Sequence, residues 1–189
     1  MSQDRTRKIV VTGVLGAISV LLGLTHWGFI PWFSGASLTI MHVPVIIGAI
    51  LEGPWVGAVI GLIFGLFSII QAAVAPTGPT DVWFTNPLLA VLPRLFIGPI
   101  AWLVWKSLQR WNVIALIVSG IAGSLTNTIL VLGMIVVLGY APLVAVLPVV
   151  VVNGLPEAAV SAIITLAVVA AWRQIRIGKR QGSNLLVDD

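Results

Sequence analysis

Long apolar segments alternate along this sequence with short interruptions that contain proline, glycine and charged residues. Most of the segments are about 20 residues long, which is the length that an α-helix needs to cross the hydrocarbon core of a bilayer. Breakers such as Pro31, Gly53-Pro54 and Pro142 separate them. The pattern predicts an all-α, polytopic membrane protein of one domain, with six transmembrane helices over residues 9–28, 38–51, 55–74, 86–105, 113–138 and 147–172.

Two of these segments need a choice between interpretations. The segment 38–51 is too short to cross a bilayer comfortably, so either it is tilted and partly buried in protein, or residues 31–37 enter the membrane as a loop. The first apolar run follows basic residues, as in a signal peptide. It exceeds the usual apolar region of about 7–15 residues, so we interpret it as a retained first helix.

Composition narrows the class of protein. Of the 189 residues, 59% are hydrophobic and 8% are charged, whereas a soluble domain has about 25% charged residues. The sequence contains no cysteine, so it has no disulfide and no Cys-ligated metal. Its two histidines have no Cys partners and no carboxylate motif between them that would complete a metal site. No phosphate loop and no Gly-x-Ser-x-Gly motif occurs, so we expect neither an enzyme nor an ATPase, and no cofactor or metal.

Basic residues fall on one side of the predicted bundle. Six spans put both termini on the same side, and the opposite loops, 31–37, 75–85 and 139–146, contain no Lys or Arg. Nine of the ten basic residues lie on the side of the termini, and the tenth is Arg94. The positive-inside rule therefore predicts cytoplasmic termini, with a cytoplasmic tail at 174–189. The basic excess thus reflects membrane topology, and no nucleic acid is expected.

Arg94 and Glu157 interrupt spans that are otherwise apolar. A lone charge at the bilayer centre costs about 3 kcal/mol, so such residues normally face the protein interior or a watery cavity. Arg94 lies about 12 Å below the outer start of its span, at 1.5 Å per residue. Other polar or aromatic residues fall in the same outer half or at its mouth. These candidate pocket residues are Asn127 and Asn153 inside, with His42, Gln71, Trp83 and Asn86 nearer the mouth.

Helical spacing groups these candidates on shared faces. Asn86 and Arg94 share a face of the fourth span, and Asn153 and Glu157 share one of the sixth. Pro156 removes a backbone donor beside Glu157, so we expect a kink with free carbonyl groups there. The faces predict a polar pocket that opens outward.

For several of these residues, a structural role is an alternative to ligand binding. Arg94 and Glu157 would serve a purely structural role if they paired only to hold two helices together. Asn127 fits a hydrogen bond between helices nearly as well as a ligand contact. Trp83 fits an interfacial aromatic belt or a lid over a flat organic ligand.

The segment 38–54 resembles the second-helix signature of the substrate-binding S components of energy-coupling factor (ECF) vitamin transporters. The resemblance covers most of residues 7–172. Further matching motifs are Gly57-Ala58, Gly61 to Leu66, Asn86-Pro87, Val91-Leu92-Pro93-Arg94 and Asn153-Gly154-Leu155-Pro156-Glu157-Ala158.

The resemblance implies a six-helix S component in a prokaryotic plasma membrane. It would capture a water-soluble vitamin from outside and deliver it inward with a transmembrane coupling subunit and two ATPases. In that family an Ala-x-x-x-Ala motif of the first helix contacts the coupling subunit. Gly13 and Ala17 occupy the matching place, with one departure from the motif.

The sequence indicates the identity of the vitamin less clearly than it indicates the family. The stretch from Pro76 to Arg94 is most similar to pantothenate-type S components, and a carboxylate ligand would give Arg94 a charge-assisted partner. Cobalamin and riboflavin types share much of the signature. The alternatives to an S component are a membrane scaffold without transport, such as a cell-shape protein, and a transporter that acts alone with ion coupling.

Overall fold

The computed structural model describes residues 3–25, 27–31, 37–76 and 78–174, and most of this backbone is helical. A π-helical segment, Val150–Gly154, and a 3₁₀ turn, Asp81–Thr85, accompany the α-helices. Phe29–Pro31 (β1) and Ser37–Thr39 (β2) form a short antiparallel pair. The predicted all-α class is confirmed. The helices are α1 (Gln3–Leu24), α2 (Val43–Glu52), α3 (Pro54–Val74), α4 (Pro87–Ala90), α5 (Leu92–Leu108), α6 (Asn112–Val137), α7 (Leu143–Val149) and α8 (Leu155–Trp172).

Five helical stretches in the described part of the chain are long and apolar enough to cross a membrane. One joins α4 to α5 and another joins α7 to α8. Of the predicted tail, only Gln174 belongs to the described residues. The five stretches are Gln3–Leu24, Pro54–Val74, Pro87–Leu108, Asn112–Val137 and Leu143–Trp172.

The second predicted helix is shorter than the sequence indicated. We expected it over 38–51, but Ser37–Thr39 pairs as a strand and α2 begins only at Val43. Pro44 stands in the first turn of α2, where a residue without an N–H leaves no helical hydrogen bond unmade. The expected start at residue 38 was therefore wrong.

The helix α2 forms the centre of the bundle. It contacts α1, α3, α5, α6 and α8, and every residue from Val43 to Ile50 is buried. A helix that is apolar on all sides is stable only when protein surrounds it. Burial in the bundle thus accounts for an apolar helix of 10 residues.

Loops and polar contacts distinguish the two ends of the bundle. We call the end that carries β1, β2, the 3₁₀ turn and residues 138–142 the hairpin end. The opposite end, with residues 3–8, 52–54 and 106–112, is the terminal end. A stacked pair of rings, Trp83 and Tyr140, lies at the hairpin end, and the ion pair of Arg7 with Glu52 lies at the terminal end.

Glycines let α3 and α5 approach closely. Gly57 opposes Gly98, and a Cβ atom added at Gly61 would overlap the carbonyl oxygen of Arg94. Small residues at this spacing allow backbones to meet in a membrane protein. The crossing of α3 and α5 therefore fixes the position of the Arg94 backbone.

We expect Gly61→Ala to lower the thermal unfolding temperature of the detergent-solubilised protein. The added methyl group must displace the Arg94 carbonyl, and overpacking of this kind costs about 1–3 kcal/mol. The matched control is Gly133→Ala on α6, where nothing lies within 4 Å of an added Cβ. Equal unfolding temperatures for the two variants would contradict the close crossing.

Candidate functional site

A proline places the Arg94 side chain. Pro93 has no N–H, so it cannot donate to the carbonyl of Leu89, four residues earlier. The Arg94 guanidinium donates to that carbonyl through Nη1 at 2.7 Å. The side chain therefore replaces the missing backbone donor at the junction of α4 and α5, and Arg94 is only 5% exposed.

Aromatic rings flank the same guanidinium. Its Cζ atom lies 5.3 Å from the ring centroid of Phe64 on α3 and 5.0 Å from that of Phe84 in the 3₁₀ turn. Both distances suit cation–π attraction, which strengthens when the pair is away from water. The Nε atom of Arg94 is buried and has no hydrogen-bond partner. The arrangement therefore holds a cation in apolar surroundings, and the N–H group at its Nε atom has no acceptor.

Glu157 lies where the last helical stretch is irregular. The π-helical segment ends at Gly154, and Pro156 follows in the first turn of α8. Insertions of this kind re-aim side chains and are frequent at functional sites. Glu157, 7% exposed, accepts from the backbone N–H of Thr39 at 2.6 Å and from the Thr128 hydroxyl at 3.4 Å. It thus joins β2, α6 and α8.

His42 extends this polar region along α8. Its Nε2 atom lies 2.8 Å from the Oγ atom of Ser161, one turn after Glu157. The Nδ1 atom of His42 and the Oδ1 atom of Asn127 are buried without a hydrogen-bond partner. Buried polar atoms of this kind are normally satisfied by protein, water or ligand. They identify the space between α2, α6 and α8 as a polar site.

A further set of contacts lies at the hairpin end. The rings of Trp83 and Tyr140 stack with centroids 5.5 Å apart and planes 8° from parallel. Asn86 caps α4 by accepting from the Leu88 N–H at 3.0 Å, and its amide donates to the Tyr140 hydroxyl at 3.3 Å. Tyr140 thus joins the 3₁₀ turn to the segment that follows α6.

The structure places the remaining candidates in three different settings. Asn153 is buried within the π-helical segment, close in sequence to Glu157. Gln71 lies half-buried in the last turn of α3. Gly13 and Ala17 are exposed on α1.

Arg94 and Glu157 do not pair with each other. Within the described residues, the ion pair that the structure contains is the one between Arg7 and Glu52. The purely structural pairing considered from the sequence is therefore not the arrangement found. Each charge is instead held by backbone groups, hydroxyls or rings, as described above.

Several contributing residues gave little or no signal in the sequence. Phe64 looks like any apolar residue of α3, although Gly61 and Gly65 flank it and both face the backbone near Arg94. Thr39 acts through its backbone N–H, which no side-chain pattern reveals. Tyr140 is the single tyrosine of the chain and follows Gly139 in the loop after α6, which is a signal in the sequence.

Comparisons with known proteins identify similar transporters. The Lactococcus lactis subsp. cremoris pantothenic acid transporter PanT is 29% identical over 196 residues, covering 93% of this chain and 98% of that protein. The Leuconostoc mesenteroides subsp. mesenteroides pantothenate transporter PanT is 36% identical over 115 residues, covering 59% of this chain and 55% of that protein. The family described as ECF transporter, substrate-specific component matches residues 7–169. Because this match spans most of the sequence, the chain belongs to the family of substrate-specific components of ECF transporters.

Proposed function

We propose that this chain captures pantothenate outside the cell and delivers it inward with a transmembrane coupling subunit and two ATPases. The family and the two relatives named for pantothenate transport support this proposal. A transporter family and several long apolar helices make the chain a multi-pass membrane protein. We propose six spans in a prokaryotic plasma membrane, with both termini cytoplasmic and the hairpin end outside.

The environment of Arg94 carries the proposal. A buried guanidinium without a carboxylate partner is costly, and the rings of Phe64 and Phe84 already lie within cation–π distance of this one. The Nε edge, which has no protein partner, is where a further acceptor would complete the hydrogen bonding of Arg94. Carboxylates accept two parallel hydrogen bonds from such an edge. Arg94 is therefore suited to an organic acid such as pantothenate.

The remaining polar groups suit the neutral part of the same vitamin. Pantothenate carries an amide and two hydroxyl groups besides its carboxylate. Glu157 and the Oδ1 atom of Asn127 offer acceptors for these donors, and Asn153 lies nearby in sequence. We propose the more peripheral candidates as contacts nearer the mouth of the pocket. These are His42, Gln71, Trp83 and Asn86.

Ligand identity is tested first on protein purified in mild detergent. We expect native mass spectrometry or calorimetric titration to detect one pantothenate per chain and no comparable binding of riboflavin or cobalamin. Tight binding of either other vitamin would overturn the pantothenate assignment but keep the transport class. A protein that binds no vitamin at all would favour a scaffold without transport.

We expect Arg94→Gln to weaken pantothenate binding by about ten- to a hundredfold, since hydrogen bonds to charged groups contribute about 1.5–3 kcal/mol. Glutamine keeps a donor for the Leu89 carbonyl, so the fold should be retained. Calorimetric titration measures the affinity, and thermal unfolding reports on the fold.

Panthenol, which has an alcohol in place of the carboxylate, provides the ligand control. We expect its affinity for the wild type to be low, and its affinity for the Arg94→Gln variant to be about the same as for the wild type. The exposed Arg110 provides the protein control, because Arg110→Gln removes a charge at the terminal end. Unchanged pantothenate affinity in Arg94→Gln would show that Arg94 is only structural.

We expect Tyr140→Leu to speed the dissociation of pantothenate by about two- to tenfold. The variant loses the stack with Trp83, and aromatic pairs contribute about 0.5–1.5 kcal/mol. This stack ties the 3₁₀ turn, which carries Phe84 over Arg94, to the segment after α6. Tyr140→Phe keeps the stack and serves as the matched control. Stopped-flow dissociation that is equal in both variants would exclude this role.

A further inference from the structure

A nearly buried carboxylate holds the beginning of α1 at the terminal end. Arg7 Nε lies 2.7 Å from Glu52 Oε1, and the side chains are 56% and 6% exposed respectively. The contact joins a guanidinium to a carboxylate, so it depends on charge. Glu52 is the last residue of α2, the helix at the centre of the bundle.

The rest of α1 is anchored only further along its length. Gly16 packs against Ile63, and the Ser19 hydroxyl donates to the Met41 carbonyl at 3.1 Å. By contrast, every residue from 3 to 10 is exposed. A cavity of about 470 Å³ separates the start of α1 from the end of α8. Its lining residues are Gln3, Thr6, Arg7, Val10, Val11 and Trp172.

Gly13 and Ala17 follow the ion pair on α1. Both are exposed, and nothing lies within 4 Å of a Cβ atom added at Gly13. Their surface lies beyond Arg7, in the part of α1 where contacts with the bundle begin. The direction of α1 at this surface therefore depends on the tie at its start.

We infer that Glu52 is a positioning residue, which through Arg7 sets the orientation of the Gly13 and Ala17 surface toward the coupling subunit. This inference rests on the proposed function, in which that surface contacts the coupling subunit. Glu52 lies at the end of the bundle opposite to the polar site, so it acts on delivery of the vitamin and not on its capture.

The test uses the full chain, expressed with its coupling subunit and ATPases in cells that lack other pantothenate uptake. In Glu52→Gln, we expect the initial rate of uptake and the recovery of the coupling subunit on purification to fall about fivefold or more. Pantothenate affinity in detergent should stay as in the wild type. Arg7→Gln removes the same ion pair from its exposed side and should give the same loss without altering a buried position.

The double variant Arg7→Gln with Glu52→Gln should lose no more uptake than either single variant, because both changes remove the same ion pair. Arg5→Gln, which removes a neighbouring exposed charge, should leave uptake unchanged. Normal uptake in both single variants, or additive losses in the double variant, would overturn the inference. So would a parallel loss of vitamin affinity, which indicates a general structural role. If the wild type itself binds no vitamin and recruits no coupling subunit, the proposed function fails and this inference fails with it.

Discussion

In a bilayer, a backbone carbonyl that loses its helical donor must find another donor within the protein, because no water replaces it. Pro93 creates that situation at the Leu89 carbonyl, and the Arg94 guanidinium resolves it. The charged side chain is therefore required by the backbone as well as suited to a ligand. Pro156 lies at a similar irregularity, since a π-helical segment ends just before it and Glu157 follows it directly. Both polar poles of the site thus arise where helices depart from regular geometry.

The buried cation is tolerated because rings and a backbone carbonyl of the protein surround it. Two phenyl rings lie within cation–π distance of it, and such contacts contribute about 2 kcal/mol when desolvated. Glycines at the crossing of α3 and α5 bring Phe64 close enough to take part. The protein supplies no carboxylate to Arg94 from the part of the chain that the structure describes. Under the proposed function, a bound organic anion would complete the neutralisation.

Sequence reasoning found the residues that are unusual for their surroundings, and missed the contacts that depend on topology. Arg94 and Glu157 stood out because charge is costly in an apolar span. The bond from Thr39 to Glu157 joins residues 118 positions apart and uses a backbone donor, so no local pattern could indicate it. The start of α2 was misplaced because a short apolar run is compatible with strand or helix, and pairing with β1 decided between them.

The short helix α2 connects the two ends of the bundle physically. Directly before its first residue, His42 contacts Ser161 of α8, and its last residue, Glu52, contacts Arg7 of α1. Arg173, just after α8, donates to the Ile50 carbonyl at 2.8 Å. Ten helical residues span about 15 Å, and close packing on every side makes such a helix stiff. The same helix is therefore held by polar contacts at both of its ends, beside the polar site through His42 and at the start of α1 through Glu52.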